Sequence, residues 1–407
     1  MHLSYVFSLL LAAAISSALP SRRHTVPRFS AEDIESGATI AALSEQAFQN
    51  AWNALPDEGA CSKKNVQIRQ EFRYMELEER KAYTDAVQCL MSKPSILDRG
   101  YFVGAKTRFD DFIAEHINKT FIIHQNANFL IWHRYFTCVY HQTLASECGY
   151  TGQQPYYEWG LDVASGLPLR ESPLFNGDEY SMGSDGTYIP GRQPLIISLP
   201  GFNDVTYANL TLLPGTGQGC VFSGPFVNYT VDLGPLSIPN DKVVGEFEYD
   251  PRCLERDLSL ETAQNWTSFA NYTPIVMNAQ TPFEFQTLID GDIRNPANIG
   301  TFGPHGGGHF IVAGDPGADF RVSPGDPYFY LHHGQIDRLY WMWQNLEVDQ
   351  ISYRTSNIPN LTLTLLDVPP SANGTLQDAL DVGPLAPVLT NADVMSTTAG
   401  PFCYLYK

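Results

Sequence analysis

The sequence predicts a mainly α-helical protein with long ordered loops and a few short strands, folded as one large domain. Three observations lead there. Four stretches repeat their apolar residues at helical spacing. The segment between them, 150–280, is rich in Gly, Pro, Asn, Thr and Tyr and shows little periodicity. Histidines gather on both sides of that segment, so a domain boundary inside it would divide them. No repeat, low-complexity tract or linker interrupts the chain.

Taken in order, "HLSYVFSLLLAAAISSALPSRR" opens with an apolar run from Val6 to Ile15 and ends in small residues near Ala18. The run is too short to span a bilayer and reads as a signal peptide over 1–18. Arg22 and Arg23 resemble a processing site, so 19–57 is read as a propeptide and N-terminal extension, and 58–407 as the domain proper. The first helix is predicted over 75–94, stopping at Pro94, and the second over 107–118. The third spans 126–149, with Asn126 or Asn128 as N-cap and Gly149 just past its end. The fourth spans 326–346, with Asp326 as N-cap and Pro327 in the first turn. The tail, 347–407, alternates Leu, Thr and Val and is expected to supply strands.

Composition narrows the setting. A net charge of −19 argues against nucleic acid and anionic membranes as partners. Sequons stand at Asn118, Asn209, Asn228, Asn265, Asn271, Asn360 and Asn373, as expected of a secreted glycoprotein. Seven cysteines follow the signal without a C-x-x-C pair, which disfavours zinc-ribbon and thioredoxin-like sites. In an oxidising compartment they predict disulfides with one thiol left over, the pairing being open.

The histidines carry the chemistry. Eight of them, His116, His124, His133, His141, His305, His309, His332 and His333, form two groups separated by a long stretch without any. On a helix His305 and His309 lie about 40° and about 6 Å apart, close enough to share an ion. The glycines between them, Gly306, Gly307 and Gly308, cost about 3 kcal/mol in a helix interior, less in a first turn opened by Pro304. Space for something to approach an ion explains them better than a phosphate loop, since no Lys follows. His124 and His133, nine apart, fall on opposite faces of one helix, so "NKTFIIHQN" must break the chain and deliver His124 from a loop. Of adjacent His332 and His333, only one can face the ion held by His305 and His309. His141 reads as a structural core histidine. A zinc hydrolase on His305 and His309 is disfavoured, because no His-Glu-x-x-His base is present.

"HQNANFLIWHRYF" resembles the first copper-binding signature of the tyrosinase/catechol oxidase family, and "DPYFYLHHGQIDRLYWMWQ" the second. "VQIRQEFRYMELEERKAYTDAVQCLMSKPS" is similar to its N-terminal helix, "CGYTGQQPYYEWGLD" to its Pro-Tyr-Trp-Asp-Trp segment, and "YLY" (404–406) to its closing Tyr-x-Tyr. The resemblance runs over 58–407 and is most like the short fungal secreted polyphenol oxidases, which lack a shielding C-terminal domain. It implies a four-helix bundle holding two copper ions. It implies His116, His124 and His133 as ligands of the first copper and His305, His309 and His333 as ligands of the second. The resemblance likewise implies a buried Asp337 paired with an N-terminal arginine, Arg69 or Arg73, and gives Tyr404 and Tyr406 a structural place at the close of the core.

The function so implied is oxidation of o-diphenols to o-quinones with reduction of O2 to water, by a secreted monomer acting on a small phenol. Gly306, Gly307, Gly308 and Phe310 are the expected wall of the phenol pocket. Ile122 stands where some relatives carry a Cys joined to the second ligand, so no such crosslink is expected. Gly306 stands where active monophenolases often have Asn, and no Glu lies between Glu284 and His305. Monophenol hydroxylation is therefore expected to be weak. An O2 carrier of the haemocyanin kind is disfavoured by chain length and by the glycine-lined approach.

Overall fold

The computed structural model describes residues 29–198, 209–238, 243–298 and 300–407. The expected signal peptide and the Arg22–Arg23 site lie outside the described residues. The fold is mainly α. In chain order its helices are α1 (Ala31–Glu35), α2 (Ala38–Ala54), α3 (Leu77–Ser92), α4 (Arg108–Lys119), α5 (Phe129–Cys148) and α6 (Trp159–Ser165). Then follow α7 (Leu260–Trp266), α8 (Phe269–Asn278), α9 (Pro282–Asp290), α10 (Gly303–Val312) and α11 (Tyr328–Asn345).

The four helices read from periodicity are α3, α4, α5 and α11, and local chemistry sets their ends. Thr107 caps α4 through a reciprocal capping box with Asp110. Asn128 is the N-cap of α5, and Gly149 ends that helix at φ 69°, a left-handed value that suits glycine. The N-cap of α11 is Pro327, one residue later than expected, while the Asp326 carboxylate before it accepts from the Tyr328 amide at 3.0 Å. Helix α3 carries none of the clustered histidines; it packs on α4 and α5 from outside. The fourth helix of the histidine-bearing bundle is the short, glycine-rich α10.

Two expectations are corrected. Residues 38–54, read as extension, form α2, which buries Ile40, Leu43, Ala47 and Ala51 and packs on α11. Residues 150–280, read as loops with strands, also hold α6, α7 and α8. Each is 7 to 10 residues long, too short for periodicity to separate it from loop. The tail supplies the expected strands, though short ones, Ala379–Leu380, Leu389–Thr390 and Tyr404–Tyr406, after a single helical turn at Ile351–Arg354.

The C-terminal strand matters most. It pairs in parallel with Gln67–Arg69, so that Arg69 stands opposite Tyr406. A disulfide, Cys61–Cys403, staples the same two segments; Cys89–Cys148 joins α3 to the end of α5, and Cys220–Cys253 lies in the loop region. Cys138 is the buried free thiol. A hairpin of Leu195–Ser198 with Asn209–Leu212 lays Leu210 and Leu212 against Phe302, just before α10.

Candidate metal centre

Four helices and one loop bring the histidines together. His116 comes from α4, His133 from α5, His305 and His309 from α10, and His333 from α11. His124 arrives from the turn after α4, as the nine-residue spacing requires. Two groups form, His116/His124/His133 and His305/His309/His332/His333, each with ligand atoms within 4.8 Å of one another. The groups adjoin: the His133 and His333 rings stack at 4.3 Å, and the His124 and His305 rings lie 6.3 Å apart at 21°.

Four of the rings are aimed by their second nitrogen. His116 Nδ1 lies 2.9 Å from the Arg321 carbonyl, His124 Nδ1 2.9 Å from that of Thr120, and His133 Nδ1 2.8 Å from that of Phe129. A carbonyl can only accept, so these contacts fix Nδ1 as the protonated nitrogen and turn Nε2 inward as the free lone pair. His305 Nδ1 instead faces the Asp290 carboxylate at 2.8 Å. Burial pushes His116, His133, His309 and His333 well below the usual imidazole pKa, and His124 down to about 4. Those five rings are therefore neutral near pH 7, the form in which imidazole binds metal.

The donor set fits a pair of metal ions. His116 Nε2, His133 Nε2 and both ring nitrogens of His333 are buried without a protein partner. His305 Nε2 and His309 Nε2 converge to 3.1 Å, so both nitrogens point to one place and can be donors to a single ion. Leaving such groups unpaired in a dry interior is costly, and a bound ion removes the cost. Imidazole nitrogen without carboxylate suits copper. His332 belongs to the second group by distance but sits on its far side, packed near Trp159 and Tyr328. His333 faces the first group. His141 is remote from both, bound to the Gly152 carbonyl at 2.9 Å. A third group, Cys220, Cys253 and Glu255, has both sulfurs consumed by a disulfide.

The glycines of α10 do not act alike. A Cβ on Gly307 would lie 2.3 Å from Trp266 Cβ, and one on Gly308 2.2 Å from the His332 ring. Both are demanded by packing and cannot be the wall of an open pocket, contrary to expectation. Gly306 is half-buried, and a Cβ there would meet only Phe302, at 3.0 Å. Phe310 is half-buried beside Phe302 and lines a cleft of about 400 Å³ under the hairpin. Phe320, not anticipated from sequence, covers His124 with ring centroids 4.6 Å apart and remains 40% exposed, so it sits at the mouth. Phe329 fills the floor, 4.2 Å from the His333 ring.

Beneath the site Asp337 accepts from the Arg134 guanidinium at 2.5 Å and from the hydroxyls of Tyr404 and Tyr406, each at 2.6 Å. Arg69 stands 3.6 Å away. Arg69 is thus the N-terminal arginine at Asp337. Arg73 is not; it pairs with Glu71 and Asp162, each at 3.0 Å. Arg134 was missed, although its place directly after His133 was a visible signal.

Comparison with known proteins agrees with this geometry. The family model for the common central domain of tyrosinase matches residues 106–346. A tyrosinase-like protein, orsC, of Emericella nidulans is 36% identical over 322 residues, covering 77% of this chain and 82% of that one. Tyrosinase P of Aspergillus terreus is 35% identical, covering 83% and 91%. An N-acetyl-6-hydroxytryptophan oxidase of Emericella nidulans, ivoB, is 33% identical, covering 87% and 96%. Among solved structures, a substituted polyphenol oxidase from Thermothelomyces thermophila superposes with a TM-score of 0.84 at 34% identity, covering 92% of this chain and all of that one.

Proposed function

The chain belongs to the tyrosinase family of type-3 dicopper oxidoreductases, and on that premise we propose that it oxidises o-diphenols to o-quinones in preference to hydroxylating monophenols. The observation that carries the preference is at position 306. The residue after His305 is a glycine, with no side chain to hold a water as base. The nearby carboxylate, Asp290, already gives its oxygens to His305 Nδ1 and to the Gln125 amide. A monophenol must lose a weakly acidic proton and be aimed at its ortho carbon, which needs a positioned base; a catechol is more acidic and binds through two oxygens.

In this reading His116, His124 and His133 hold one copper, and His305, His309 and His333 the other. The support is the set of inward nitrogens and the place of His333 rather than His332 beside His133. Bound copper supplies the electron transfer by which two catechols and one O2 become two o-quinones and two waters. The protein fixes the direction of His116, His124, His133 and His305 through Nδ1 and keeps the floor dry with Phe329. Phe320 offers aromatic surface to an entering ring, and Gly306 adds no side chain beside His305. Three disulfides and the sequons support secretion, and nothing in the reading needs more than one chain. No helix among the described residues is long and apolar enough to cross a membrane.

The alternative is monophenol hydroxylation, the activity that the name of the Aspergillus terreus relative suggests. O2 uptake by the copper-loaded protein, with a catechol and with the matching monophenol, separates the two. The expected result is a clearly higher kcat/KM for the catechol and a lag with the monophenol. Equal or higher monophenol kcat/KM without a lag would reject the proposal. Gly306→Asn is expected to raise monophenol turnover relative to the parent.

A further inference from the structure

Helix α9 ends in a way that its own electrostatics disfavour. Thr281 and Pro282 start it well, and Gly291 stops it at φ 69°. The last residue before the stop is Asp290, a carboxylate at the negative end of a helix dipole. Such a residue needs donors from elsewhere, and the fold brings two. One carboxylate oxygen faces His305 Nδ1 at 2.8 Å, and the other accepts from the Gln125 amide at 3.3 Å. The Asp290 side chain is 4% exposed.

The approach is built into the backbone. Gly291 and Gly303 touch: a Cβ on Gly291 would lie 2.3 Å from the Phe302 carbonyl carbon, and one on Gly303 2.5 Å from the Gly291 nitrogen. Both have positive φ, 69° and 63°, so both contact and conformation require glycine. This contact sets the end of α9 against the start of α10, two residues before His305. Gln125, directly after His124, turns at φ 43°, an uncommon value for a residue with a side chain. Its peptide is held from both sides, the amide by Asp290 and the carbonyl by the Arg294 guanidinium. Arg294 is in turn fixed by Asp292.

We infer that Asp290 is a positioning residue that ties the two histidine triads together, orienting His305 directly and His124 through the Gln125 peptide. The inference rests on the dicopper reading above. A carboxylate on the far nitrogen of a liganding imidazole fixes its tautomer and strengthens it as a donor, and loss of such partners lowers metal affinity about 10–100-fold. Here one carboxylate serves a histidine of each triad, so both coppers should weaken together.

The test is copper affinity of the full chain by competition with a Cu(I) chelator, alongside thermal unfolding of the metal-free protein. Asp290→Asn offers only one acceptor oxygen. The expected result is copper binding weakened about 10–100-fold at both positions, with metal-free melting close to the parent. Asp290→Glu, which keeps both oxygens, is expected to recover part of the loss. Affinity within twofold of the parent in Asp290→Asn, weakening confined to one copper, no recovery in Asp290→Glu, or an equal loss of metal-free stability would each overturn the inference. Should Asp290→Asn not fold, Arg294→Gln reads the Gln125 side by the same titration; weaker binding is expected, and parent affinity overturns the link. His305→Ala serves as the reference. If it still binds two coppers, the dicopper ligand set itself is wrong. If it loses copper while Asp290→Asn does not, only the role of Asp290 falls.

Discussion

Gly306, Gly307 and Gly308 are chemically identical and do three different things. Gly308 leaves room for the His332 ring, Gly307 for Trp266, and only Gly306 borders space that a side chain can enter with small adjustment. Substitution separates them. Gly308→Ala drives a methyl into an imidazole that is itself packed, and overpacking of this kind costs about 1–3 kcal/mol. Gly306→Ala gains helix propensity, worth up to about 1 kcal/mol, against a tight contact with Phe302. Thermal unfolding of the metal-free proteins is expected to show a clear loss for Gly308→Ala and near-parent stability for Gly306→Ala. The reverse order would mean that the glycines serve space at the metal rather than packing. From sequence all three look alike, because each answers to a neighbour supplied by another element.

At the scale of elements, the bundle is locked from below. Asp337, one turn after His333, meets Arg134, which directly follows His133, together with Arg69 and the two tyrosines of the last strand. One carboxylate thus joins α5, α11 and the paired strands Gln67–Arg69 and Tyr404–Tyr406, and so braces the stacked His133 and His333. Burial alone would raise its pKa; the charges of Arg134 and Arg69 and the tyrosine hydrogen bonds outweigh that and hold it below the usual carboxylate range. A depressed pKa means that the stabilisation is complete above the unfolded-state value, near pH 4, and is lost as pH falls through the folded value. Asp337→Ala leaves two buried guanidinium groups without their carboxylate, and is expected to cost about 3–5 kcal/mol at neutral pH and to impair copper loading. Denaturant unfolding at pH 7 and in the acid range checks both points, since the gap between parent and variant should narrow below about pH 4. A variant with parent stability and copper content would show the network to be energetically idle.

For the whole molecule, a segment near residue 67 and the last strand are one structure. Gln67–Arg69 pairs with Tyr404–Tyr406, and Cys61–Cys403 closes a span of 342 residues around them. A crosslink over so long a span restricts the unfolded chain strongly, and loss of a native disulfide costs about 2–5 kcal/mol. The double variant Cys61→Ser/Cys403→Ser is expected to unfold at lower denaturant and to expose its C-terminus to protease first. Because the same strands carry Arg69, Tyr404 and Tyr406, copper retention should fall with it. Parent-like denaturant resistance would remove the staple from the account.

The sequence by itself determined the mainly α class, the places of α3, α4, α5 and α11, the break that delivers His124 from a turn, and the family through its two histidine signatures. Those features are local: a helical period, a cap, or a spacing between ligands survives in one dimension. Only the tertiary structure decided that Asp290 faces His305, that Arg134 and Arg69 share Asp337 while Arg73 does not, that His333 rather than His332 stands beside His133, and which cysteines pair. Each of these joins residues from separate elements, and contact between elements depends on how helices pack, which no local pattern encodes. The short helices of 150–280 escaped for a related reason: at two or three turns, burial against the bundle rather than their own periodicity stabilises them.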